Sequence, residues 1–207
     1  MRVWAIIPVK PFVRAKSRLA NVLTAEQREA LAERMLRHGI LTLKEAPVIT
    51  GVTVVSRDSR ALAIARDMGV FTVQESGAPE LNAALARAAE VVRVQGAEAI
   101  LVMPSDLPLY TGEDVEKIVH MGRFNASVVI APDRFEEGTN ALFIAPPGLI
   151  PFGFGEGSFA RHMTLAREAG ATVQVYRSER IALDLDTPDD LTHYEQWSGA
   201  AASPLYY

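Results

Sequence analysis

Apolar residues in this chain fall into short runs, and the longer segments between them carry apolar positions at helical spacing. The runs at 3–9 (VWAIIPV), 51–56 (GVTVVS), 70–74 (VFTVQ), 99–104 (AILVMP), 126–132 (ASVVIAP), 140–146 (NALFIAP) and 171–176 (ATVQVY) are rich in β-branched and aromatic residues and predict strands. Several are apolar without interruption, as strands covered on both faces should be. Segments 24–45, 59–68, 79–95, 111–122 and 157–169 predict helices. Thr24 with Gln27, and Thr111 with Asp114, form capping boxes that would start two of them. Gly69 and Gly170 stand where two others should stop.

Strands alternating with helices over short connections predict an α/β domain, a mostly parallel sheet sandwiched between helices. One connection breaks the rule. Only DRFEEGT separates 126–132 from 140–146, too short for a helical crossover, so an antiparallel pair must interrupt the sheet. The predicted organisation is a single domain over 1–197 with a mixed sheet, then a tail at 198–207 that begins small and polar and ends aromatic. Such a tail is either loose or an arm on a partner subunit, and a homodimer is expected.

Composition changes this picture little. Hydrophobic residues make up 49% of the 207 and charged residues 22%, ordinary globular values. No apolar run approaches the ~18 residues needed to span a bilayer, and the N-terminal run reads as a strand rather than a signal peptide. The absence of cysteine excludes disulfides and thiolate metal sites and fits a cytoplasmic setting. A net charge of −4 gives no reason to expect nucleic acid as a partner. The distribution of charge says more: Arg2, Lys10, Arg14, Lys16 and Arg18 all precede the first acid, Glu26.

Four of those cations lie in PVKPFVRAKSRL, just past the first predicted strand. In an open α/β sheet ligands bind beyond the carboxyl ends of the strands, and a loop of Lys and Arg there suits a polyphosphate. The loop holds no glycine, so it is neither a Walker loop nor a dinucleotide fingerprint. LVMPSDLPL puts Asp106 at the same edge, where a turn residue is the plain alternative. In IALDLDTPDDL, Asp184 and Asp186 are two apart in a β-like run, which places both carboxylates on one face. Side by side they repel and need a cation. With no cysteine and no paired histidines, three oxygen-only ligands favour Mg²⁺ or Mn²⁺. An amine of the protein seated on that pair, where the ion ought to lodge, would count against the metal reading and the chemistry built on it.

The residues that follow read structurally: Thr187 as N-cap, Pro188 at the first helical position, Asp189 and Asp190 at the positive helix end. FGFGEGSFARH (152–162) is a Gly-rich turn entering a helix, where Gly155, Gly157 and Ser158 could present donors to an anion. A flexible turn with a serine cap explains it as well. Thr139 and Asn140 open a strand, and of the four histidines only His162, beside Arg161, lies near that turn.

Taken together, PVKPFVRAKSRL, PSDLPL, GTNAL, GEGSFARH and DLDTPDDL resemble the guanylyltransferase family of coenzyme F-420 biosynthesis, over nearly the whole chain and in order. The resemblance implies a three-layer Rossmann-like nucleotidyltransferase fold and transfer of GMP from GTP to phosphoenolpyruvate or 2-phospho-L-lactate. By that resemblance Asp106, Asp184 and Asp186 hold metal. Thr139, Gly155 and Ser158 hold the three-carbon acid, Lys10, Lys16 and Arg18 face the nucleotide phosphates, and Asn82 lies near the base. Lys16 and Asp106 would be the catalytic pair. The family commonly carries a neutral residue where this chain has Glu156, so that carboxylate should point away. Transfer of another nucleotide to another phosphorylated acceptor, or a non-catalytic nucleotide-binding module, are the competing readings.

Overall fold

The computed structural model describes residues 1–78 and 80–198; Pro79 and 199–207, most of the predicted tail, lie outside the described residues. Among the described residues seven strands form one sheet: β1 (Val3–Val9), β2 (Ile49–Ser56), β3 (Phe71–Gln74), β4 (Ala99–Val102), β5 (Ser127–Pro132), β6 (Thr139–Ala145) and β7 (Thr172–Val175), in the order β3-β2-β1-β4-β6-β5-β7. β6 runs antiparallel to both its neighbours, and every other pair is parallel. The short 133–138 connection is therefore a hairpin turn, pinned by the Asp133 carboxylate, which accepts from the N–H groups of Phe135, Glu137 and Gly138.

Helices α1 (Ala25–Glu45), α2 (Ser59–Asp67) and α4 (Gly112–Met121) cover one face of the sheet, and α3 (Leu81–Val94) and α5 (Ser158–Glu168) the other. The alternation within β1 shows how the layers are filled. Val3, Ala5, Ile7 and Val9 pack under α1, α2 and α4, while Trp4 and Ile6 pack under α3 and α5. Both sides of a central strand are core, so no polar position interrupts the run, and each large side chain buried there contributes about 1.5–3 kcal/mol. Thr24 and Gln27 exchange the two hydrogen bonds of the capping box that starts α1.

Two further helices follow, α6 (Glu179–Ala182) and α7 (Pro188–Ser198). Asp114, expected as a helix-capping partner of Thr111, does more than cap. Its fully buried carboxylate accepts from the N–H and hydroxyl of Thr111, the hydroxyls of Tyr176 and Ser178, and the Arg180 guanidinium at 2.7 Å. Burial alone would push this acid up; the Arg180 fork and the other donors outweigh it and hold it at about 2. The cluster fixes α6 to α4, and α6 leads directly into Asp184 and Asp186. Among the described residues no helix is long and apolar enough to cross a membrane.

Candidate active site

The loop after β1 is two single 3-10 turns, Phe12–Arg14 and Ser17–Leu19, joined by Lys16 in a left-handed conformation (φ 55°). A non-glycine residue there costs about 1–3 kcal/mol and persists only where its surroundings over-determine it. They do so on both sides. Phe12 is buried and donates its N–H to Asp58 Oδ2 at 2.7 Å, and Leu19 and Leu23 join Leu31, Met35, Leu183, Leu185, Leu191 and Tyr194 in a small separate core. Lys10, Arg14 and Arg18 stay exposed, whereas the Lys16 side chain is 5% exposed.

That small core also carries the acidic side of the site. Residues 183–187 are not a sheet strand, contrary to the β-like reading, because α6 ends immediately before them. The alternation survives locally: Leu183 and Leu185 are buried, Asp184 and Asp186 less so. Leu185 N–H donates to the Asp106 carbonyl at 3.0 Å, which joins the loop after β4 to this segment. Asp190 departs from the simple helix-end role expected of it. Its buried carboxylate accepts from the N–H of Asp186 (3.1 Å), the N–H of Thr187 (2.7 Å) and the Thr187 hydroxyl (2.8 Å), and pairs with Arg134 at 2.7 Å. Asp189 is exposed in the first turn of α7, as expected.

Lys16 lies across the carboxylates, with its ammonium 2.9 Å from Asp186 and 3.7 Å from Asp106. This corrects the expectation of a carboxylate pair free of protein amines, and it turns Lys16 away from a purely phosphate-facing role. Burial pushes the Asp186 carboxyl up, but Lys16 first, then Lys10 and Arg18, pull it below its usual value. Asp184 has no such relief: burial, then the charge of Asp106 and of Asp186, raise it to about 6. One buried ammonium thus faces two carboxylates, and the third, Asp184, lies beside them without it. Among the described residues no three His, Cys, Asp or Glu side chains are gathered at metal-holding distance. The excess negative charge and all-oxygen donors of Asp106, Asp184 and Asp186 nonetheless suit a hard divalent cation that would displace the ammonium.

The Gly-rich turn lies at the same edge, because β6 starts there with Thr139 and α5 returns to it: Phe159 N–H donates to the Glu137 carbonyl at 3.1 Å. Three side chains hold the turn. Asn82 accepts from Phe154 N–H (2.8 Å) and donates to the Phe154 carbonyl (3.2 Å), so both ends of its amide are engaged. These two bonds make it a clamp on the turn, a role that its expected place near the base did not indicate. Arg161 donates to the carbonyls of Gly153 (2.7 Å) and Glu156 (2.9 Å). His162, fully buried, accepts from Gly153 N–H at 3.0 Å and lies 2.9 Å from Thr139 Oγ1 through its other nitrogen. Burial, then the charge of Arg161, lower its pKa to about 4.

Gly155 (φ 121°) and Gly157 (φ 67°) take up backbone conformations that a side chain would strain. Ser158 is buried at the first position of α5, and Glu156 is exposed. Thr139, Gly155 and Ser158 therefore share one corner, and Lys16, Asp106 and Asp186 another, both at the carboxyl edge of the parallel strands. Sequence reading missed His162, Arg161, Asp190 and Arg134 as organisers of these corners. The spacing of Arg161 and His162 from the Gly turn was the one visible hint.

The sequence model of the guanylyl transferase CofC-like family matches residues 2–195. A phosphoenolpyruvate guanylyltransferase of Rubrobacter xylanophilus is 39% identical over 99% of this chain and 98% of its own. A 2-phospho-L-lactate guanylyltransferase of Methanothermobacter thermautotrophicus is 37% identical over 92% of this chain and 83% of its own. Among solved structures, a nucleotidyl transferase from the same archaeon superposes with a TM-score of 0.68 at 17% identity, covering 95% of this chain and 97% of that one, a likeness of fold alone.

Proposed function

This chain belongs to the guanylyl transferase CofC-like family, and from that premise we propose the following assignment of its residues. The enzyme transfers GMP from GTP to a small phosphorylated carboxylic acid, phosphoenolpyruvate or 2-phospho-L-lactate, and releases pyrophosphate. An oxygen of the acceptor's phosphate forms a new bond to the α-phosphorus of GTP as the bond to the leaving pyrophosphate breaks. That nucleophile is already anionic at neutral pH, so the step calls for no general base. His162 agrees with this, since both of its ring nitrogens are committed to the protein.

The observation that carries the reading is the Lys16 ammonium on Asp186 and Asp106 at the strand edge that also holds Thr139 and Ser158. Bringing two polyanions together is the main electrostatic obstacle, and the cations gathered there, Lys10 and Arg18 beside Asp186, would lower it. Lys10 and Arg18, exposed beside Asp186, neutralise the triphosphate, with Lys16 joining them once it leaves the carboxylates. Asp106, Asp184 and Asp186 would hold Mg²⁺, or Mn²⁺ in its place; a bound divalent ion supplies charge neutralisation for the departing pyrophosphate. Thr139, Gly155 and Ser158 hold the acid. Activity as a cytoplasmic homodimer belongs to the same proposal, supported for the compartment by the absence of cysteine and tested for the dimer by sedimentation equilibrium.

The direct experiment incubates the enzyme with GTP, Mg²⁺ and a mixture of phosphoenolpyruvate, 2-phospholactate and 3-phosphoglycerate, then reads the product mass and pyrophosphate. A single guanylylated acid is expected. Pyrophosphate release that requires CTP or UTP instead, or none with any acceptor, overturns the reading.

A further inference from the structure

Gly153 N–H donates to Nε2 of His162, so that nitrogen carries no proton and the ring must be the Nδ1–H tautomer. Nδ1 then donates to Thr139 Oγ1 at 2.9 Å. A threonine hydroxyl that already accepts has one proton left to give, and no acceptor for it is found among the described residues. We propose that His162 is a positioning residue that makes the Thr139 hydroxyl an obligatory donor, so that this corner takes an anionic oxygen of the acceptor acid and rejects a donor group in its place.

The inference rests on Thr139 lying in the acceptor corner, and it adds which way the hydroxyl faces and what holds it. The same imidazole anchors Gly153 while Arg161 draws the Gly153 and Glu156 carbonyls toward itself. Acceptor-repelling carbonyls are thereby turned onto protein donors. The ring stays neutral near pH 7, its pKa lowered to about 4 by burial and by Arg161, which keeps Nε2 an acceptor.

Steady-state kinetics on the full chain test this, with GTP and whichever acid the wild type guanylylates. Thr139→Val and His162→Phe should each raise the KM for the acid on the order of ten- to a hundredfold, the size of a lost hydrogen bond to a charged group. The KM for GTP should move less than about twofold, and Thr139→Ser should stay near wild type. The double variant should be no worse than the poorer single one, because both remove the same bond. Unchanged acid KM in Thr139→Val, equal rises for both substrates in His162→Phe, or multiplying penalties in the double variant would each overturn the inference. Should His162→Phe fail to fold, imidazole ¹⁵N spectra of the wild type decide the point: a proton on Nδ1 is expected, and one on Nε2 refutes it. A wild type that guanylylates no acid at all would sink the proposed activity instead, a distinguishable result.

Discussion

Lys16→Met removes the buried ammonium that pairs with Asp186 and Asp106 and keeps the length of the aliphatic stem. At an effective dielectric of about 20, charges 2.9 Å apart attract by about 6 kcal/mol and charges 3.7 Å apart by about 4. Most of that is offset by taking Lys16 out of water, and Asp106 and Asp186 keep 28% and 32% exposure, which screens them further. A net loss of about 3 kcal/mol is what breaking such a buried pair leaves. For a chain of this size it corresponds to a fall in Tm of about 6–12 °C. The assay is thermal unfolding of wild type and variant in EDTA and again in millimolar MgCl₂. In EDTA the variant should melt lower by that amount. Magnesium should then raise its Tm more than the wild type's, since no ammonium has to be displaced first and stabilisation grows with the affinity of the folded state. Equal melting in EDTA, or the same magnesium shift in both proteins, refutes the idea that cation and ammonium compete for these carboxylates.

Asp106→Asn and Asp184→Asn should each lower transfer roughly a thousandfold while leaving the fold intact by circular dichroism. Asp184→Asn should also melt slightly higher than wild type at pH 7.5. Its carboxyl titrates at about 6 when folded, so the penalty of ionising it is complete above that pH and absent below the unfolded value near 4. Urea denaturation of wild type and His162→Phe across pH should show the wild type losing on the order of 3 kcal/mol relative to the variant between pH 6.5 and about 4, because its unfolded chain binds a proton there that folded His162 refuses, while the opposite contribution of Asp184 is common to both. A stability difference between the two proteins that is flat over that range would contradict the buried, neutral ring. Asn82→Ala should raise the KM for the acid several-fold and leave that for GTP alone; the opposite pattern would restore Asn82 to the nucleotide.

The strands and main helices were legible because a sheet covered on both faces demands unbroken apolar runs, and 3–9 or 99–104 could be little else. The reversed strand followed from one short connection. The acidic trio and the cationic loop were legible as residue types at the correct edge of the sheet. Their mutual contact was not, since Lys16 and Asp186, 170 positions apart, meet only when the intervening chain folds back. Asp184 and Asp186 were placed correctly relative to each other for a reason partly wrong: an extended segment outside the sheet keeps the same alternation as a strand. Asn82 and His162 escaped because their roles lie in which backbone groups they hold. An asparagine on a helix or a buried histidine announces nothing of that from its spacing.

The reversal of β6 has an outcome for how such enzymes can diversify. In the proposed assignment Thr139 reaches the reactants only because that strand begins where its neighbours finish, so a compact block, 133–162, with Asn82 clamping its turn, would furnish the acid-facing side. On the same assignment the triphosphate-facing side would come from the distant stretches around 10–18, 106 and 184–186. Grafting that one block between relatives should therefore carry over a taste for one acid or another and leave the handling of GTP undisturbed.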